Sequence, residues 1–129
     1  MVRSISCWVK LTGNRASSDE AKQLYQELWI SLVSVVQSYT AAALMAVPGE
    51  SFECSREADD KCILRAKHKQ LLLWRSGAAG DGSWKVRSSA EETLAEGRFS
   101  LNVQGLVSVD GSPSMEMDAA AEILAAKIL

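Results

Sequence analysis

Ala21, Leu24, Tyr25, Leu28, Leu32, Val35, Val36, Tyr39 and Ala43 recur three and four residues apart, the spacing that keeps side chains on one face of an α-helix. Ser17-Ser18-Asp19-Glu20 precedes them as a capping box, in which Ser17 and Glu20 satisfy each other's backbone amides. Pro48-Gly49 ends the pattern. A helix of about 28 residues, roughly 42 Å long, is expected. At that length it must bend near Ser38 to Thr40 or project from the domain.

After Gly49 the period falls to two. Phe52 and Cys54 alternate with Glu53 and Ser55, and Glu57-Ala58-Asp59-Asp60 supplies a tight turn. Strands are expected at Lys61 to Lys67, at Gln70 to Arg75 and, beyond the glycine-rich Ser76 to Ser83 loop, at Trp84 to Arg87. Ser89-Ala90-Glu91-Glu92 has the form of a second capping box and predicts a short helix to about Ala95. Arg98 to Val103 and Leu106 to Val109 form a hairpin pattern about Gln104-Gly105, and Met117, Ala121, Leu124 and Ile128 mark a last helix from Met115. Ile5, Cys7, Val9 and Leu11 alternate like a further strand. The expected fold is α+β: an antiparallel sheet of four to six strands packed on one side against one long N-terminal-half helix and a C-terminal helix, all in one domain.

Composition fits that picture, since 129 residues with 47% hydrophobic and 23% charged side chains suffice for one core. The most apolar stretch, Leu28 to Val36, is broken by Ser31 and Ser34 and falls short of the roughly 20 residues a bilayer crossing needs, so no membrane partner is expected. Three cysteines, an odd number, suit free thiols in a reducing compartment. The cytoplasm or nucleus follows, although Arg3, Lys10 and Arg15 with no acid before Asp19 have a faint transit-peptide character.

Charge changes the picture more. The net charge of −2 conceals seven basic residues against one acid between Lys61 and Arg87, and seven acids against two bases from Ser88 to the C terminus. Strand alternation puts Lys61, Ile63, Arg65 and Lys67 on one face, so one sheet face is expected to be basic, bordered by Trp74 and Trp84. Such a face holds phosphates by charge and stacks bases on indoles. As a solvated face its lysines would instead guard edge strands, and a sequence pI near 5.4 is low for a nucleic-acid binder.

Asp60-Lys61-Cys62-Ile63-Leu64-Arg65-Ala66 resembles the middle strand of the small signal recognition particle proteins of the Alu domain. The resemblance implies a helix, three antiparallel strands and a helix that hold RNA on the sheet. It covers this one strand, and Ala95 to Leu129 has no counterpart in it.

Cys7, Cys54, Cys62 and His68 have the right number and type for a zinc set but lack the close cysteine pairs of structural sites, so no metal and no cofactor is expected. His68 lies between Lys67 and Lys69, and the Ser76 to Ser83 loop lacks the endings of phosphate-binding loops. No acid, base and nucleophile converge in the pattern.

Trp29, Ile30 and Val33 fall off the main helical stripe, so the apolar surface is wider than one sheet covers, and either the last helix or another chain must bury it. The function expected first is therefore a non-catalytic assembly module, adaptor-like or chaperone-like, in a homo- or hetero-oligomer. In it Trp29, Ile30 and Val33 supply apolar contacts while Arg65, Lys67 and Lys69 supply charge. The alternative is RNA or polyanion binding through Arg65, Lys67, Lys69, Arg75, Lys85 and Arg87. A small-molecule enzyme comes third.

Overall fold

The computed structural model describes residues 14–76 and 80–128, with side chains from residue 20 onward. The strand expected at Ile5 to Leu11 lies outside the described residues. A helix α1 (Asn14–Met45) is followed by six strands, β1 (Glu53–Ala58), β2 (Lys61–Arg65), β3 (Lys69–Arg75), β4 (Asp81–Ser88), β5 (Thr93–Leu101) and β6 (Val107–Val109), and then by a helix α2 (Met117–Ala126). The strands form one antiparallel meander in sequence order.

α1 begins three residues before Ser17 and is continuous through Ser38 to Thr40. Thr40, the buried polar side chain among its described ones, is satisfied by donating its hydroxyl to the carbonyl of Val36 at 2.8 Å. A turn then reverses the chain: Val47 N–H donates to Leu44 O, and Gly49 adopts φ +85°, a conformation that costs a side chain energy.

Both helices pack on the same sheet face. Leu32, Val33 and Val36 from α1 and Ala120, Ala121 and Leu124 from α2 form one core with Cys62, Leu64, Leu71, Leu73, Val86, Phe99 and Val107. The two helices also contact each other, so α2 covers apolar surface of α1 that the sheet leaves open. Trp29 (1% exposed) and Val33 (4% exposed) belong to this core, and of the three positions expected to meet a partner only Ile30 is exposed. That corrects the expectation for Trp29 and Val33. The stripe is wide because it has two layers to meet within the chain.

Two further expectations are corrected. No helix forms at Ser89 to Ala95, because Ser88, one residue earlier, accepts the amides of Ala90 and Glu92 on its hydroxyl and closes a loop between β4 and β5. Glu91 there takes φ +65°, outside the helical region. In addition, Glu20–Met45 is by length and composition apolar enough to cross a membrane, which Leu28 to Val36 alone does not suggest. From Leu28 to Met45 it carries no charged side chain, and Ala41, Ala42 and Ala43 add to its apolar total. A helix that buries one face on its own sheet passes the same test.

Trp84 faces the helices instead of bordering the basic face. Its Nε1 donates to Asp110 Oδ1 at 3.0 Å, and Lys127 Nζ lies 4.3 Å from its ring centroid. Gly97, its cross-strand partner, leaves room for this arrangement, since a Cβ there would meet Asp110 Oδ1 at 2.1 Å and Trp84 at 2.7 Å.

Candidate binding face of the sheet

Among the described residues no helix packs on the second face of the sheet. The pairing Lys61 with Trp74, Ile63 with Leu72 and Arg65 with Gln70 continues into β4 as Trp74 with Ser83, Leu72 with Lys85 and Gln70 with Arg87. Ser83 then pairs with Arg98 and Lys85 with Glu96. Side chains in such rows stand on one face.

At the centre Ile63 and Leu72 are only 3% and 6% exposed, although neither belongs to the core beneath the helices. Long side chains of the neighbouring rows, Lys61, Arg65, Lys85 and Arg87, flank them, and the stems of such side chains can lie over apolar surface while the charged ends reach water. Beside this floor runs a groove of about 450 Å³ lined by Lys61, Leu72, Trp74, Lys85, Arg87 and, at one end, Asp60 and Arg75. Lys85 Nζ stands 6.0 Å from the Trp74 ring centroid, the outer limit of a cation–π contact.

Arg87 Nη2 donates to Gln70 Oε1 at 3.0 Å, while its buried Nε has no partner. A buried donor left without an acceptor is rare and costly. The cations nearest β1 are screened instead. Lys61 lies 3.6 Å from Glu57, and Arg65 lies 4.0 Å from both Glu53 and Glu57. A second, more polar hollow of about 330 Å³ lies past the Trp74, Ser83 and Arg98 row, lined among others by Ser76, Asp81, Arg98, Ser100 and Ser108.

The six cations proposed from sequence do not share one surface. Arg65, Lys85 and Arg87 stand on the helix-free face. Lys67 is exposed in the turn beyond β2, where its amide donates to Glu50 Oε1 at 3.4 Å. Lys69 shares strand parity with the core residues Leu71 and Leu73 and lines a hollow with Leu44, His68 and Ile128. Arg75 donates through Nη2 to Gln26 of α1, and its Nε and Nη1 are buried without partners. Lys61, Trp74 and Arg98 share the face, as does the carboxylate of Glu96 opposite Lys85, and period-two parity extended across paired strands is the signal that finds them.

Cys54 pairs with Leu64 and Cys62 with Arg56, so the cysteines lie diagonally, with their sulfurs 3.6 Å apart. The two-residue loop Asp59-Asp60 between Ala58 and Lys61 sets this register. Burial, with the adjacent Cys54 adding to it, pushes the Cys62 thiol up to about 12. Cys7 lies outside the described residues, and among those described no three His, Cys, Asp or Glu side chains converge as a metal site.

No family model, no curated protein and no solved structure matches this chain. The face must be interpreted from its own chemistry.

Proposed function

We propose that this domain is a non-catalytic binding module whose helix-free sheet face receives an anionic partner. The observation that carries this reading is the groove whose lining combines the cations Lys85 and Arg87, with Lys61 beside them, and the apolar Trp74 and Leu72. Its size suits a bound group. The unpartnered Nε of Arg87 adds a donor that an anionic oxygen would satisfy. Among the described residues lining it there is one carboxylate, Asp60, against the four cations Lys61, Arg75, Lys85 and Arg87, a balance that favours an anion. The test is a salt titration of heparin binding. Affinity should fall steeply with ionic strength and drop further in Lys85→Glu/Arg87→Glu, whereas a flat salt response removes the reading.

A second reading, assembly with another chain, rests on α1. From Leu28 to Gly49 the sequence carries no charge, yet Ile30, Ser31, Ser34, Gln37, Tyr39 and Met45 are exposed. A solvated helix face ordinarily carries charges. Light scattering behind size exclusion tests it: an oligomer that Ile30→Asp/Tyr39→Asp dissociates supports assembly, and a wild-type monomer removes self-assembly.

A further inference from the structure

We propose that the groove is a base-stacking subsite and that the anionic partner is a single strand of nucleic acid lying across the sheet strands. This rests on the anionic-partner reading and narrows it.

Charge alone does not require an indole or an apolar floor. A bare anion or an acidic peptide is held by cations set in water and makes no use of the Trp74 ring, whereas a flat aromatic group does. A nucleotide matches both halves of the lining. Its planar base stacks on Trp74 above Leu72, and its phosphate meets Lys85 and Arg87 at the far side. The resting contact of Lys85 with the indole is long, 6.0 Å, so a base displaces it at little cost and the ammonium moves to the phosphate. The Arg87 guanidinium is held by Gln70 through Nη2 and keeps Nε free for a phosphate oxygen.

The second hollow argues for a chain over a lone nucleotide. Trp74, Ser83 and Arg98 are consecutive cross-strand partners, so the hollow lined by Arg98, Ser100 and Ser108, with the carboxylate of Asp81 at its β4 side, continues the path toward β6. From β2 to β6 there are four inter-strand steps of about 4.8 Å, roughly 19 Å in all. That accommodates a few extended nucleotides, with Arg98 placed for a second phosphate. Duplexes are disfavoured because their bases are already stacked on one another.

The experiment measures binding of a fluorescein-labelled ten-nucleotide oligouridylate by anisotropy, with heparin oligosaccharide and polyglutamate of similar charge as comparisons. Full-length protein is used, with circular dichroism and a melting curve for each variant. Trp74→Ala should weaken oligonucleotide binding roughly ten-fold or more, the effect of losing one stacked base, and leave heparin binding unchanged. Trp74→Leu, which keeps apolar bulk over Leu72, should bind as weakly as Trp74→Ala, and Trp74→Phe should recover most of the loss. Arg98→Glu should weaken the ten-nucleotide strand more than a dinucleotide. If heparin binds with steep salt dependence while the oligonucleotide binds no better and ignores Trp74, the stacking proposal fails and the anionic-partner reading stands. If polyglutamate outcompetes the oligonucleotide, the partner is an acidic protein and the proposal is overturned. If none of the three binds, both readings fall together.

Discussion

The rings of Trp29 and Phe99 lie 3° from parallel with centroids 6.1 Å apart. Trp29 thereby ties the middle of α1 to β5, and its Nε1 donates to the carbonyl of Asp59 at 2.9 Å at the β1–β2 turn. One side chain joins helix, turn and distant strand. Truncation should therefore act on folding. Trp29→Ala is expected to destabilise by roughly 3–5 kcal/mol, and Trp29→Phe, which keeps a ring but loses the hydrogen bond, by about 1–2 kcal/mol. Urea unfolding checks both; a stable Trp29→Ala that merely changes oligomeric state would contradict the burial described.

Gly97 is constrained by space, because a Cβ would intrude on Asp110 and Trp84. Gly97→Ala should lower stability by about 2 kcal/mol or more and disturb the near-ultraviolet signal of Trp84. Gly49→Ala, at φ +85° with nothing within 4 Å, should cost only about 1 kcal/mol of backbone strain and leave that signal alone.

Cys62 gives an alkaline limit. Its thiol in the fold is raised to about 12, whereas an unfolded cysteine ionises near 8.5. The native state thus keeps a proton the unfolded chain releases, and stability, full below about pH 8.5, declines as pH rises toward 12. Cys62→Val should flatten that part of a stability profile measured by denaturant midpoints between pH 8 and 11. An unchanged slope would show that other groups set it.

Glu53 and Glu57 screen Arg65 and Lys61 from the edge strand. The pairs are at least a third exposed and contribute little to stability, under about 1 kcal/mol. The double variant Glu53→Gln/Glu57→Gln should melt near wild type yet bind heparin several-fold more tightly at low salt, with a steeper salt slope. Weaker binding would place the contacts away from β1.

Legibility followed periodicity. α1 and α2 announce themselves through apolar positions three and four residues apart, and the central strands through short apolar or alternating runs bounded by turn residues. The Ser89 to Glu92 segment misleads because Ser-x-x-Glu is compatible with a helix start, but here the Ser88 hydroxyl captures the same amides for a loop. The basic face was half legible. Parity places Arg65, Lys85 and Arg87, but Lys69 and Arg75 sit at strand ends on the helix-facing parity. Arg75 reaches the helix layer through Gln26, a contact 49 residues distant in the chain that no local pattern encodes. Trp29 and Val33 were misplaced for a related reason, since the width of a stripe does not say whether its second cover comes from within the chain.

The closed state of Ile63 and Leu72 has a further consequence for selectivity. The groups that flank this floor are also the groups that would grip an anion, so an ion that draws the ends of Lys85 and Arg87 toward itself unroofs Leu72 and wets it. A small inorganic ion offers nothing in return, whereas a flat, weakly hydrated body closes the gap it opens. Under the stacking proposal, discrimination against small inorganic anions would come from this floor, independently of any extra charge on the ligand.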